Sequence, residues 1–166
     1  PINVTDGCAK LLNNFGSEAL KAKYLDGLTQ TDMSRLTQGG QFMTEKEGGS
    51  DVGTLTTRAV QEGDHWRLYG EKWFCSNADA KVVMLLARPE GAGPGTKGVG
   101  LFLMPRFLDD GSPNHYRIVR LKDKLGTRSM ASGEIKFDGA IAYAVGKLDR
   151  GFVQMAEMVN SSRLSN

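Results

Sequence analysis

Six strand-like segments separated by turn signals constrain the fold of this chain more than any other feature of its sequence. Each segment is short and rich in β-branched, aromatic or alternating apolar residues. The segments span residues 54–60, 65–76, 81–88, 99–104, 115–121 and 132–138. No alternation of strand and helix patterns runs through this region, so we do not expect a parallel sheet. The pattern predicts a mainly β fold, with six or seven antiparallel strands closed into a barrel or packed as a sandwich.

Helical patterns lie on both sides of the strand-like region. A short apolar stripe predicts a helix over residues 5–14, and Ser17 is placed to cap a second helix. We expect the chain to be a piece of a longer protein, because it begins and ends within helical patterns. After Gly151 we expect a helix with an apolar face that needs a partner, either within the chain or outside it. That face carries Phe152, Met155, Met158 and Val159.

Composition excludes several classes of protein. The 166 residues suffice for one domain with a core, and a hydrophobic content of 40% argues against disorder. The net charge of +2 is too small to indicate nucleic-acid binding by itself. No apolar run reaches the roughly 18 residues of a membrane span. Cys8 and Cys75 show neither zinc nor disulfide spacing, so we expect reduced thiols in an intracellular protein.

Residues 43–51, Met-Thr-Glu-Lys-Glu-Gly-Gly-Ser-Asp, combine turn residues with hydroxyls and carboxylates. Successive N–H groups at Gly48, Gly49 and Ser50 can form an anion-binding concavity, because glycine lets a phosphate approach the backbone closely. The alternative is an ordinary turn capped by Ser50 and Asp51. Local sequence leaves both interpretations open.

Two other stretches also have two interpretations each. The sequence from Trp73 to Asn77 ends a strand with aromatic and then small polar residues. It can stack on a flat ring and hydrogen-bond its heteroatoms, or it can pack Trp73 and Phe74 into the core. A basic series predicts either a solvated face or a phosphate-contacting face. This series comprises Arg117, Arg120, Lys122, Lys124 and Arg128.

Some patterns that resemble binding sites lack the neighbouring sequence that such sites require. Gly93, Gly95 and Gly98 have the spacing of a dinucleotide fingerprint, but strand-like sequence follows them where a helix is required. We therefore predict a hairpin loop there. His65 and His115 have no metal-ligand spacing, so no metal site is expected.

Four motifs occur in the order and spacing of the acyl-CoA dehydrogenase family, which the chain resembles over about residues 17–163. The resemblance implies the end of an N-terminal helical domain at 1–38, a middle β-barrel domain at 39–148 and the start of a C-terminal helical domain at 149–166. Three stretches are similar to the alkylation-response branch of that family, namely residues 43–51, Lys72-Trp73-Phe74 and Leu121-Lys122-Asp123-Lys124-Leu125-Gly126. The motifs are Met43-Thr44-Glu45-x-x-Gly48-Gly49-Ser50-Asp51, Gly70-x-Lys72-x-Phe74-x-Ser76-Asn77, Leu125-Gly126-x-Arg128-Ser129 and Phe137-Asp138.

The resemblance also implies an FAD site between the barrel and the C-terminal helices. Met43 and Thr44 are expected beside the pyrimidine side of the isoalloxazine ring. Gly49 and Ser50 are expected at the pyrophosphate. A hydroxyl near flavin N5 can favour the reduced ring. The stacking aromatic and this hydroxyl are expected at Phe74 and Ser76.

In this family a carboxylate removes the α-proton of an acyl-CoA thioester while the β-hydride passes to the flavin. In most members the base lies far downstream. In some it directly precedes the arginine that matches Arg163, where this chain has Ser162. We therefore expect no catalytic residue within the chain. Glu45 is not a substitute, because it belongs to the structural motif.

Three hypotheses about function follow. The first is an FAD-dependent acyl-CoA dehydrogenase, of which this chain supplies the flavin-binding middle domain. The second is a flavoprotein of the alkylation-response branch, whose DNA association comes from a C-terminal region outside the chain. The third is a β-barrel interaction module in which the motifs are only turns. For the parent protein the resemblance suggests a homotetramer.

Overall fold

The computed structural model describes residues 2–47 and 49–164. Ser17 caps the second helix as predicted, since its Oγ accepts a hydrogen bond from the Leu20 N–H at 3.3 Å. Within the described ranges, no helix has the length and apolar character that a membrane crossing requires. The elements in chain order are helices α1 (Ile2–Phe15) and α2 (Glu18–Leu28), strands β1 (Gly39–Phe42), β2 (Arg58–Glu62), β3 (His65–Ser76), β4 (Val82–Pro89), β5 (Gly100–Pro105), β6 (Tyr116–Leu121) and β7 (Ser132–Ala144), and helix α3 (Gly151–Leu164).

Five of the strands close into a barrel. These are β2, β3, β4, β5 and β7, and the closure occurs because β3 pairs with both β2 and β7. The other two lie outside the closed set, β1 along β3 and β4, and β6 along β7. The predicted mainly β barrel with short helices at its two ends is confirmed. One strand is shorter than its pattern suggested, because a 3-10 turn at Val52–Thr54 precedes β2.

Two strand pairs are parallel, which the expectation of an antiparallel barrel did not include. Gly39 of β1 lies opposite Val82 of β4, and Arg58 of β2 lies opposite Arg88 of β4, in parallel pairings. Because β3 reverses the chain direction, β4 resumes the direction of β1 and β2. A strand thus supplies the return that a helix supplies in a βαβ unit. The absence of a helix pattern therefore did not exclude parallel neighbours.

Strand β4 is buried on both faces, which explains its continuous apolar run. Its side chains alternate between two apolar clusters. One cluster fills the barrel together with Phe102, and the other lies between the barrel and the helices together with Leu11. The barrel cluster contains Val83, Leu85 and Ala87, and the helix-facing cluster contains Val82, Met84 and Leu86.

Part of the apolar face of α3 finds its partner within the chain. Met155 and Met158 are fully buried, in the same cluster as Leu11 of α1. A Cβ at Gly7 would lie 2.5 Å from Met158 Cγ, so a glycine permits this close approach of α1 and α3. The three-domain division at residues 38 and 148 stays a prediction.

Candidate functional site

The end of β3 lies directly beside the segment that follows β1. Gln41 of β1 pairs with Ser76 of β3, and the Trp73 N–H donates to the Thr44 carbonyl oxygen at 2.8 Å. Both contacts have the same antiparallel register, which places Met43 across from Phe74. We call this surface, formed by residues 41–44 and 73–76, the β1–β3 edge. The two stretches that the sequence assigned to one site are therefore neighbours.

A buried ion pair fastens the β1–β3 edge to the barrel. Lys72 is 1% exposed, and its Nζ donates to Glu45 Oε1 at 2.7 Å and to the Met43 carbonyl oxygen at 3.2 Å. The Glu45 carboxylate also accepts from the Thr56 N–H at 2.6 Å, from its hydroxyl at 2.8 Å and from the Thr57 N–H at 3.1 Å. The carboxylate is thus committed to structure, as the sequence analysis expected.

Burial and ion pairing shift the pKa of the Glu45 carboxylate in opposite directions. Burial by itself raises the pKa of Glu45, but the Lys72 ammonium and the hydrogen bonds from Thr57 and Thr56 outweigh it and lower the pKa to about 2. Burial lowers the pKa of Lys72, and the Glu45 carboxylate opposes that change. With its oxygens occupied and its pKa so low, Glu45 is not suited to accept a proton from a substrate.

An extra residue in β3 turns both aromatic residues away from the barrel interior. Lys72 pairs with Ile135 and Cys75 with Gly133, so three steps along β3 match two steps along β7. This is a β-bulge, and such bulges redirect side chains. Phe74 has a φ of 56° and is 53% exposed, so the alternative in which it packs into the core is wrong.

The remaining predicted contact residues lie around the same edge. Met43 and Thr44 are half-buried, and Met43 packs against the helix-facing cluster. Gly49 lies beside Thr44, because a Cβ at Gly49 would be 3.7 Å from Thr44 Cγ2. Ser76 is half-buried and pairs through its backbone with Ser132 of β7.

The predicted anion-binding concavity is described only in part. Gly48 lies outside the described residues. Ser50 is exposed, and no hydrogen bond of its hydroxyl occurs within the described ranges. Asp51 acts as the cap, since its Oδ1 accepts from the Gly53 N–H at 2.9 Å. The turn interpretation is therefore correct for Asp51, and the pyrophosphate role of Gly49 and Ser50 stays a prediction.

Three cations surround Trp73, an arrangement that was not predicted from the sequence. The Lys46, Arg120 and Lys122 charges lie 4.8, 5.5 and 5.7 Å from the ring centroid. Lys46 and Arg120 share the Glu134 carboxylate, which Lys46 approaches to 3.5 Å. Partial burial opposes ionisation of Glu134, yet these two cations hold its pKa below the usual range. An outward-facing tryptophan beside a basic strand was the available signal.

A cleft of about 240 Å³ lies next to these charges but is not the predicted site. Trp73, Val119 and Glu134 are among its lining residues, while none of the six predicted contact residues lines it. The β1–β3 edge is instead an open surface with an exposed aromatic ring. Within the described chain it can form one side of a ligand site.

Comparisons with known proteins agree on one family. The family model described as acyl-CoA dehydrogenase, middle domain, matches residues 40–140. Acyl-CoA dehydrogenase family member 11 of Caenorhabditis elegans is 41% identical over 175 aligned positions, which cover 100% of this chain and 28% of the relative. The acyl-CoA dehydrogenase-like protein AidB of Escherichia coli K12 is 43% identical over 125 positions, covering 75% of this chain and 22% of the relative.

Solved structures give the same result. The crystal structure of Caenorhabditis elegans ACDH-11 in complex with C11-CoA superposes with a TM-score of 0.90 at 41% identity. The match covers 99% of this chain and 29% of that structure's chain. This chain therefore spans less than a third of the length of these relatives.

Proposed function

Because this chain belongs to the acyl-CoA dehydrogenase family and contains its middle domain, we propose that it forms one wall of an FAD site. The whole protein, in this proposal, dehydrogenates an acyl-CoA thioester. The observation that carries it is the hydrogen bond from the Trp73 N–H to the Thr44 carbonyl oxygen, 2.8 Å long. This bond joins the two motifs on which an FAD wall depends.

The residues at the β1–β3 edge fit a flat cofactor. Phe74 offers a half-exposed aromatic face, and Gly49 leaves room for close approach to the backbone. Bound FAD would supply a two-electron acceptor. The residues of this chain bind and orient it, by stacking through the aromatic ring and by hydrogen bonding through hydroxyl and backbone groups. The residues that would hold it are Met43, Thr44, Gly49, Ser50, Phe74 and Ser76.

An acyl-CoA thioester is the substrate class that best suits this family. A related structure is described as a complex with C11-CoA, which supports a thioester substrate for the whole protein. The general base of the reaction lies outside this chain in our proposal. Glu45, the buried carboxylate within the first motif, is held by Lys72 and by the backbone of Thr56 and Thr57.

A second candidate function is a flavoprotein that associates with DNA through its C-terminal region. The 43% identity to AidB over 125 positions favours this branch. A homotetrameric assembly of the parent protein is a further proposal from the family resemblance. An intracellular location is proposed from the two free, buried cysteines, Cys8 and Cys75.

The absorbance spectrum of the full-length protein, titrated anaerobically with acyl-CoA thioesters of several chain lengths, tests these proposals. A flavin spectrum that bleaches on addition of a thioester supports the dehydrogenase. A flavin spectrum that no thioester bleaches, together with binding to duplex DNA, favours the second candidate. A protein that takes up no FAD contradicts both candidate functions. The third hypothesis, a β-barrel interaction module, would then remain.

A further inference from the structure

One ammonium group lies directly over the exposed aromatic ring of the β1–β3 edge. Lys122 Nζ is 3.0 Å from the Phe74 ring centroid. A cation over the face of a ring is held by the ring quadrupole. Within the described part of the chain, Lys122 has no carboxylate within ion-pair distance. Its charge is therefore not neutralised by the chain's own acids.

A second lysine holds together the loop that carries Lys122. We call residues 122–132 the lysine loop. Lys124 Nζ donates to the Thr127 carbonyl oxygen at 2.7 Å, to the Met130 carbonyl oxygen and to Ser132 Oγ at 3.2 Å. The Arg128 Nε donates in turn to the Lys124 carbonyl oxygen at 2.7 Å. All these acceptors are neutral, so the positive charge of Lys124 also remains.

The lysine loop is attached to the β1–β3 edge by its last residue. Ser132 pairs with Ser76 across β7 and β3, and its carbonyl oxygen accepts from the Lys122 N–H at 2.8 Å. The loop contains one carboxylate, Asp123, which is exposed. Glu134, the nearest acid on β7, is shared by two other cations. The two lysines thus give this edge a net positive charge.

We propose that Lys122 is a positioning residue that, with Lys124, makes the β1–β3 edge electropositive and so favours the reduced form of the ring bound there. This inference rests on the proposed function. A flavin that accepts one hydride, two electrons with one proton, gains one unit of negative charge. A nearby cation lowers the energy of that product relative to the neutral oxidised ring. The hydride donor is the thioester in turnover and a chemical reductant in the test.

The test is the reduction equilibrium of the full-length, FAD-loaded protein against a reference dye. Lys122→Met keeps much of the stem that covers the ring and removes the charge. We expect its equilibrium constant for two-electron reduction to fall about tenfold, which corresponds to about 30 mV. Lys122→Arg, which restores the charge and can stack, should stay within about twofold of the wild type.

Two controls separate electrostatics from structure. Lys97→Met removes the same charge from an exposed turn and should leave the equilibrium unchanged. The Lys122→Met effect should shrink at about 1 M salt, because a part-exposed charge is screened. A purely structural effect would not depend on salt in this way. A comparison of Lys124→Arg with Lys124→Met applies the same test to Lys124, which holds the lysine loop together.

The outcomes separate a failure of this inference from a failure of the proposed function. If the wild type binds FAD and Lys122→Met reduces as readily as the wild type, the inference is wrong and the proposed function stands. If Lys122→Met binds FAD more tightly and the flavin reduction potential is unchanged, Lys122 competes with the flavin ring for the face of Phe74. The inference is then also wrong. If the wild type takes up no FAD, the proposed function itself fails.

Discussion

Two lysines lie near the β1–β3 edge in opposite environments. Lys72 is 1% exposed and is paired with Glu45 at 2.7 Å, whereas Lys122 is half-buried and rests on the Phe74 ring. A charge inside the barrel loses its water and therefore needs a counter-charge and hydrogen-bond acceptors, which Glu45 and the Met43 carbonyl oxygen supply to Lys72. A charge at the surface requires only a ring face and water. The comparison separates a cation that holds the fold from one that can respond to a ligand.

The largest effect should come from removing the inner cation. Lys72→Met leaves the Glu45 carboxylate buried without its counter-charge, and breaking such a pair costs about 3–5 kcal/mol. Hydrogen exchange of the barrel amides in the full-length protein measures the loss. Lys136→Met is the matched control, since it removes an exposed pair with Glu71 of 3.6 Å, for which about 0–1 kcal/mol is expected. Equal losses in both variants would contradict the comparison.

Lowering the pH should gradually remove the stabilisation that the ionised Glu45 carboxylate contributes. The pKa of Glu45 is lowered from 4.5 to about 2 in the fold, so its ionised form contributes stability above pH 4.5. That contribution is lost as the pH falls from about 4.5 through about 2. The difference in melting temperature between the wild type and Glu45→Gln should therefore shrink over this window. A difference that stays constant down to pH 2 would show that the charge of Glu45 has no part in it.

Removing the two hydroxyls of the β1–β3 edge should affect the ligand more than the fold. Each hydrogen bond is worth about 1 kcal/mol, so Thr44→Ala with Ser76→Ala should weaken FAD binding about 30-fold in the full-length protein. Fluorescence quenching of free FAD gives the dissociation constant. Thr29→Ala, at the end of α2, serves as a control, because its hydroxyl donates to the Leu25 carbonyl oxygen away from this edge. Unchanged FAD affinity in the double variant would refute the assigned roles.

The smallest effect on stability should come from the exposed aromatic ring. Phe74 has a φ of 56°, a conformation that asparagine tolerates better than phenylalanine. Phe74→Asn should therefore change the free energy of unfolding by less than about 1 kcal/mol while weakening FAD binding. Phe102→Leu, inside the barrel, should destabilise more without a direct effect on FAD. A Phe74 variant that unfolds as readily as Lys72→Met would remove the distinction between the two sites.

The strand pattern and the motif order made much of the fold predictable. The length of β3 and the two-sided run of β4 follow from local sequence. The motifs at Met43 and Phe74 were correctly predicted to lie together. Each of these features is encoded within a few residues of the chain.

The features that were not predicted depend on residues far apart in sequence. The parallel pairs of β4 require the return path of β3, and the burial of Met155 requires α1, more than a hundred positions earlier in the numbering. The outward turn of Phe74 requires the mismatch between β3 and β7. The position of Lys122 over that ring also requires the pairing of β6 with β7, which holds the Lys122 N–H against the Ser132 carbonyl oxygen. Periodicity within one segment contains none of this information.

The single inserted residue in β3 has a consequence for how this surface can change. Up to Lys72 the even-numbered side chains point into the barrel, and from Cys75 the odd-numbered ones do. Trp73 and Phe74 lie at the change of parity, where neither has to fit the interior. Substitutions there can alter what docks on the molecule while the packing on which folding depends stays the same.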